Sequence, residues 1–250
     1  MKVTLKAYTT PLEEAHDKLL GYARNMSMEE FVIYAARVSA PANQHNIETS
    51  AKLLAYCIRN GHWSIFETVS FTVEIETSLA IAMQIIRHRS FTFQMFSQRY
   101  ADVSKLSADE LTEDIELRWK SKEGNRQGSG NTCTDMDLLE KGSAPLELAT
   151  DTYKELLSAG IAPESARFVL PQCTKTRFYM TGNLRSWIHY LAQRLDPHAQ
   201  LEHREVADKI LDIFADLFPA TYEACTTIVI PAHTVFPLVA IDHETNPPTA

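Results

Sequence analysis

Val3, Leu5 and Ala7 alternate with Lys2, Thr4 and Lys6, the two-residue period of a half-buried strand. Ser27 and Glu30 have the spacing of a capping box and predict a helix through Phe31, Tyr34, Ala35 and Val38. Ile47, Ala51, Leu54 and Ile58 predict a second helix, with Asn60-Gly61 as its stop signal. The period then falls to two. Val69, Phe71, Val73 and Ile75 alternate with polar residues from Thr68 to Glu76, which predicts a strand. Leu79, Ala82, Met83 and Ile86 restore helical spacing and lead directly into Arg87.

Hydrophobicity falls between Lys105 and Pro145, and Lys122 to Asn131 reads as a flexible loop or insertion. Helical spacing resumes across Leu146, Tyr153, Leu156 and Leu157 and ends near Gly160. Ala166 to Leu170 meets Pro171, and a strand is expected from there through Tyr179. Leu184, Ile188, Leu191 and Leu195 form one apolar helical stripe. Asp196-Pro197 has the form of an N-cap followed by proline at the first helical position, opening a helix through Val206, Ile210, Phe214 and Leu217 with Pro219 as its limit. The tail Asn246 to Ala250 is expected to fray. The sequence has no internal repeat, and strands mix with helices without regular βαβ alternation. That pattern predicts an α+β fold with an antiparallel-type sheet. The organisation read from it is a single domain over residues 1–250, with an insertion at 105–145.

Composition narrows the function classes. A hydrophobic content of 45% and a charged content of 22% suit a soluble globular protein. No apolar run approaches the ~20 residues of a membrane span, and no signal-peptide pattern is visible, so a cytoplasmic protein is expected. Cys57, Cys133, Cys173 and Cys225 are scattered, which predicts neither a disulfide framework nor a metal site. A net charge of −8 opposes nucleic-acid binding but permits one local basic pocket.

Such a pocket has a candidate. Arg87, His88, Arg89 and Arg99 crowd together in an acidic chain just after an apolar helical run. Guanidinium groups grip phosphate bidentately, and Ser97 offers a hydroxyl beside them. The alternative is a solvated helix end paired with Glu74 or Glu76.

The order of the residues adds a resemblance. Arg87-His88-Arg89, seven residues, then Ser97-Gln98-Arg99-Tyr100 resembles the signature of flavin-dependent thymidylate synthases. Ala35-Ala36-Arg37-Val38-Ser39, Gly61-His62-Trp63-Ser64-Ile65-Phe66-Glu67 and Ala166-Arg167-Phe168-Val169-Leu170-Pro171 are similar to further segments of that family. So are Thr181-Gly182-Asn183-Leu184-Arg185-Ser186 and Arg194-Leu195-Asp196-Pro197-His198-Ala199-Gln200. The likeness runs from Ala35 to Ala207, apart from a weakly matching stretch between Lys105 and Pro145.

The resemblance implies the family's fold and its reductive methylation of dUMP to dTMP. Methylenetetrahydrofolate would be the one-carbon donor, FAD the redox carrier and NADPH the reductant. It also implies a homotetramer with active sites at subunit junctions. Carried over residue by residue, Gln84, Arg87, Ser97, Arg99, Arg167 and Arg194 would hold dUMP. His62, Ser64, Arg87, His88, Arg89, Asn183, Arg185 and His189 would hold FAD. Arg194 takes the catalytic role, stabilising negative charge as it develops on the uracil. Helical geometry puts Arg185 and His189 on one flank of the Leu184–Leu195 stripe and Arg194 on the other, which suits two ligand environments. The family commonly has glutamate where this chain has Met95, so that carboxylate contact is lost here.

Three other readings compete. Cys173 is a candidate nucleophile for a thymidylate synthase of the cysteine type. His198, Glu202 and His203 suggest a metal site, although the H-E-x-x-H pattern is absent. A flavin- or nucleotide-binding protein of the same fold without turnover is the non-enzymatic alternative, encouraged only by Met95.

Overall fold

The computed structural model describes residues 1–11, 26–99, 108–114, 116–121 and 128–230. Lys2–Tyr8 forms strand β1, Met28–Ala36 helix α1 and Ser50–Arg59 helix α2. Strand β2 (Ser70–Ser78) runs into α3 (Leu79–Ile85), and β3 (Thr92–Met95) follows. Next come α4 (Ala108–Leu111), a hairpin of β4 (Arg118–Lys120) and β5 (Ser129–Thr132), and the long α5 (Met136–Ser158). The remainder is α6 (Pro163–Ala166), β6 (Lys175–Asn183), α7 (Leu184–Arg194), α8 (Leu201–Leu217) and α9 (Pro219–Ile228).

The main sheet has the order β1-β2-β6-β3, and every neighbouring pair is antiparallel. The expected α+β class is therefore observed. Thr176, Phe178, Met180 and Gly182 of β6 point inward while Lys175, Arg177 and Tyr179 point out, so this strand continues to Asn183, past the Tyr179 limit read from the sequence. Leu184, Ile188, Leu191 and Leu195 are wholly buried, as their stripe predicted. Trp187 stacks on Phe71 at 4.4 Å and donates its indole N–H to the Gly182 carbonyl at 3.0 Å. Burying side chains of this size contributes about 1.5–3 kcal/mol each, which makes the sheet–α7 layer the stable floor of the molecule.

Glu74 interrupts the alternation of β2 because it is buried. Lys6 from β1 lies 2.9 Å away and Arg177 from β6 lies 3.9 Å away. Hydrogen bonds from Lys6 and then Tyr179 hold its carboxyl below the usual range. Glu74 is thus committed within the sheet and is not the counter-ion of the Arg87–Arg89 cluster.

Local signals set several helix ends. Ser27 accepts from the Glu30 N–H at 3.1 Å, and Glu30 accepts from the Ser27 N–H at 2.9 Å, the reciprocal capping box. Gly61, at φ 68°, ends α2 in the left-handed region, as the Asn60-Gly61 signal predicted. Val38 and Ile47, counted above as helical, lie outside α1 and α2 and are exposed.

The C-terminal helices correct the sequence reading. Asp196 does not cap α8. Its carboxylate accepts from the His198 N–H at 2.8 Å, closing an Asx-type turn, and α8 starts only at Leu201. Asp135 caps α5 by accepting from the Asp137 and Leu138 N–H groups, so that helix starts ten residues before Leu146 and contains Pro145. Only Thr150 and Tyr153 of α5 are buried, which is why its start has the low hydrophobicity of a loop. Pro219 opens α9 as its first residue besides limiting α8. The tail Asn246–Ala250 and residues 100–107, 115 and 122–127 lie outside the described residues.

Candidate active site

β2 leads directly into α3, with Ser78 as the N-cap, and α3 ends after two turns. Arg87-His88-Arg89 therefore sits in the turn beyond the helix C-terminus, where backbone carbonyls favour cations. The turn is tied down from α7. The Ser186 hydroxyl donates to the Ser90 carbonyl at 3.1 Å, and the Phe91 ring packs edge-on against Trp187 at 4.6 Å. A Cβ on Gly182 would come within 2.4 Å of that phenylalanine ring, so glycine is what allows the turn to lie so close to β6. Arg87 and Arg89 are exposed, and among the described residues neither takes part in an ion pair.

His88 points inward. The Arg194 Nε–H donates to its Nε2 at 2.7 Å, and the Tyr190 ring lies edge-on at 4.9 Å. Burial, reinforced by the Arg194 charge, lowers its pKa to about 4. A neutral ring accepts a hydrogen bond and an imidazolium does not, so the bond and the depressed pKa agree.

Gln84, in the last turn of α3, donates from Nε2 to Gln200 Oε1 at 2.6 Å. Its carbonyl lies 3.3 Å from Nδ1 of the buried His203, whose Nε2 is 3.2 Å from the Tyr190 hydroxyl. Gln200 donates onward to Glu202 at 2.9 Å, and Arg118 of β4 pairs with Glu202. Burial acts to raise the Glu202 pKa, but the bonds from Arg118 and Gln200 outweigh it and hold the group ionised.

A second group forms around the turn from Trp63 to Glu67. His62, Ser64 and Arg185 line a cavity of about 530 Å³ together with Ala36, Cys57, Gly61, Trp63 and Ile65. Arg185 pairs with Glu67, and the His189 ring lies 4.6 Å from Trp63. Burial, then the Arg185 charge, lowers the His189 pKa. Asn183 caps α7 by accepting from the Ser186 N–H at 2.9 Å, so its side-chain oxygen is already engaged in structure.

Ser97 and Arg99 make up a third group, tied to the short helix that precedes Arg167. The Arg99 N–H donates to the Ser97 hydroxyl at 3.3 Å, and the Arg99 guanidinium meets Glu164 at 3.0 Å, one turn before Arg167. Arg167 is half-buried, with its guanidinium 6.0 Å from the ring of Phe168. The structure thus joins Gln84, His88 and Arg194. It brings His62, Ser64, Arg185 and His189 together elsewhere, on the other flank of α7. Met95 is half-buried on β3 opposite Phe178, packed against the apolar core.

The competing readings fare poorly. Cys173 is buried, and burial raises its thiol pKa, the opposite of an activated nucleophile. His198 lies in the turn before α8 with its ring 2.7 Å from Asp196, His203 faces Tyr190 and Gln84, and Glu202 faces Arg118, so the three do not converge.

The family model described as thymidylate synthase complementing protein matches residues 18–220. The chain belongs to the flavin-dependent thymidylate synthase family. It is 44% identical over 199 residues to the probable flavin-dependent thymidylate synthase of Paramecium bursaria Chlorella virus 1, spanning 78% of this chain and 89% of that one. It is 45% identical over 206 residues to the flavin-dependent thymidylate synthase of Synechocystis, spanning 80% and 90%. Among solved structures, the UMP/dUMP methylase PolB of Streptomyces cacaoi bound with 5-Br dUMP superposes with a TM-score of 0.73 at 28% identity, covering 91% of this chain and 95% of that one.

Set beside the motif residues of this flavin-dependent synthase family, several neighbours in the site were not singled out from sequence. Tyr190 packs on His88 and Gln200 bonds Gln84 from outside the Arg-His-Arg segment, and Arg118 stands behind them through Glu202. In the sequence pattern His203 and Glu202 stand out only as metal candidates. Gln200 lies within a quoted family segment, which was the one available signal; nothing in the pattern linked it to Gln84, 116 positions away.

Proposed function

We propose that this chain reductively methylates dUMP to dTMP, taking its one-carbon unit from methylenetetrahydrofolate, with FAD as redox carrier and NADPH as reductant. It acts in the cytoplasm as a homotetramer whose active sites lie between subunits. The observation that carries this reading is the Arg194–His88 pair, which fixes a permanently charged guanidinium by one N–H and leaves the others for a ligand.

The residues suit the ligands. Arg87 and Arg89 offer cations that no carboxylate among the described residues neutralises, as a pyrophosphate or a nucleotide phosphate requires. His62, Ser64 and Arg185, with Trp63 and His189 alongside, combine aromatic faces with hydrogen-bond donors around one cavity, the chemistry a flavin dinucleotide needs. Bound flavin supplies the hydride. Everything else falls to the protein: Arg167, Arg99 and Ser97 hold phosphate, and Gln84 and Arg87 orient the nucleotide. Arg194 stabilises negative charge on the uracil ring, and being charged at every working pH it needs no proton transfer to do so.

The test is dTMP formation from dUMP with FAD, NADPH and methylenetetrahydrofolate. Wild-type protein should turn over, and Arg194→Ala should lose turnover by at least a hundredfold, about the loss expected on removing one charge-stabilising donor, while staying yellow. Purified protein that binds flavin and dUMP yet forms no dTMP would overturn the catalytic reading in favour of a binding protein.

A further inference from the structure

We propose that His203 is a positioning residue of the nucleotide site: it fixes the orientation of the Gln84 carboxamide through a hydrogen-bond chain that runs from Tyr190 to the Glu202 carboxylate, which Arg118 of the β4–β5 hairpin anchors. This rests on the reading above that Gln84 holds dUMP.

The direction of every bond follows from the chemistry at the two ends. His203 is wholly buried, and its two ring nitrogens face Gln84 Oε1 at 3.3 Å and the Tyr190 hydroxyl at 3.2 Å. An amide oxygen only accepts, so the ring hydrogen sits on Nδ1. Burial, then the Arg194 charge, lowers the His203 pKa to about 3, so the ring is neutral and carries that one hydrogen. Its Nε2 must therefore accept from the Tyr190 hydroxyl. At the other end a carboxylate only accepts. Glu202 takes Gln200 Nε2 on one oxygen and Arg118 Nη2 on the other. Gln200 consequently presents its oxygen to Gln84 Nε2.

A free glutamine amide flips at almost no cost, because its two ends have the same shape. Here a flip would set the Gln84 NH₂ against the Nδ1–H of His203 and its oxygen against the oxygen of Gln200, two like-to-like contacts in a half-buried place. Gln84 is left with one N–H and one lone pair in fixed order for the nucleotide. Arg118 holds the far end with all three of its nitrogens engaged, at Ser129 (2.9 Å), Glu116 (3.0 Å) and Glu202.

KM for dUMP, kcat and flavin content of purified wild type and variants test the proposal. His203→Leu and Arg118→Met should each raise KM about tenfold, the worth of one well-oriented hydrogen bond, and raise it more than they lower kcat. The double variant should be no worse than either single one, because both act through one amide. His203→Gln, which keeps a donor and an acceptor, should recover most of the loss. Tyr190→Phe, which removes only the hydroxyl, should raise KM about threefold, within the range of one neutral bond. If His203→Leu does not fold, unchanged KM in Tyr190→Phe and Arg118→Met overturns the role. Independent, additive effects of His203 and Arg118 overturn the chain. Wild-type protein without affinity for dUMP overturns the functional reading and this proposal together, whereas normal wild-type affinity with unshifted variants overturns the positioning role alone.

Discussion

His88 and Gly182 show how little room a single residue has in this site. His88 must be neutral to accept from Arg194, and burial, then the Arg194 charge, supplies that state. Gly182 must lack a side chain because Phe91, pinned by Trp187, fills the space where Cβ would stand. Gly182→Ala should therefore destabilise the protein by about 2 kcal/mol, the cost of overpacking a rigid aromatic cluster, and lower the melting temperature by several degrees; an unchanged melting curve would show that the Phe91 turn yields freely. Met95 is the opposite case. It packs half-buried against the core instead of offering a carboxylate. Met95→Glu should retain dTMP formation while losing about 1 kcal/mol of stability through partial burial of a charge. Complete loss of turnover with flavin still bound would contradict the placement of that loop.

Among the elements, α7 does most to organise the site. Its buried stripe fixes its rotation on the sheet, so Arg185 and His189 face the Trp63–Glu67 turn while Arg194 faces His88. The helix thereby holds the Arg185–His189 cluster and the Arg194–His88 pair on opposite flanks. At the far end, α9 has no side-chain cap of its own. Glu29 of α1 supplies one from a distance, accepting from the Ala220 N–H at 3.1 Å and from the Thr221 N–H and hydroxyl at 2.7 Å each. Those N–H groups are the orphan donors of a helix start, and a carboxylate there also meets the positive end of the helix dipole. Glu29→Ala should cost about 2–3 kcal/mol, because it leaves buried donors without an acceptor. Chemical denaturation measures it, and a loss below half of that would mean water replaces the carboxylate.

Across the whole molecule, three histidines share one electrostatic situation. His88, His189 and His203 all have pKa values below the ordinary 6.5, each first through burial and then through a nearby arginine, with His88 at about 4 and His203 at about 3. The unfolded chain takes up these protons near pH 6.5, and the folded chain takes them up only at lower pH. Stability is therefore fully present above pH 6.5 and is lost as pH falls from there through about 4 for His88 and about 3 for His203. His203→Gln should flatten the fall in melting temperature between pH 6.5 and 5, and an unaltered slope would remove His203 from the account. The sequence by itself determined what depends on neighbours a few positions away. The alternation of β2, the stripe of α7, the Ser27 capping box and the Gly61 stop were legible because period and capping act within one or two turns. The ordered motifs likewise identified the family. Tertiary structure alone decided that Asp196 closes a turn instead of starting α8, that α5 is a helix despite its polar start, and that Glu29 caps α9. It also decided that Gln84 meets His203, and that Glu74 answers to Lys6 and Arg177 instead of the Arg87 cluster. For the contacts of Glu29, Gln84 and Glu74 the physical reason is the same. A hydrogen bond or ion pair between residues a hundred positions apart leaves no trace in local periodicity, because packing of the whole chain chooses the partner.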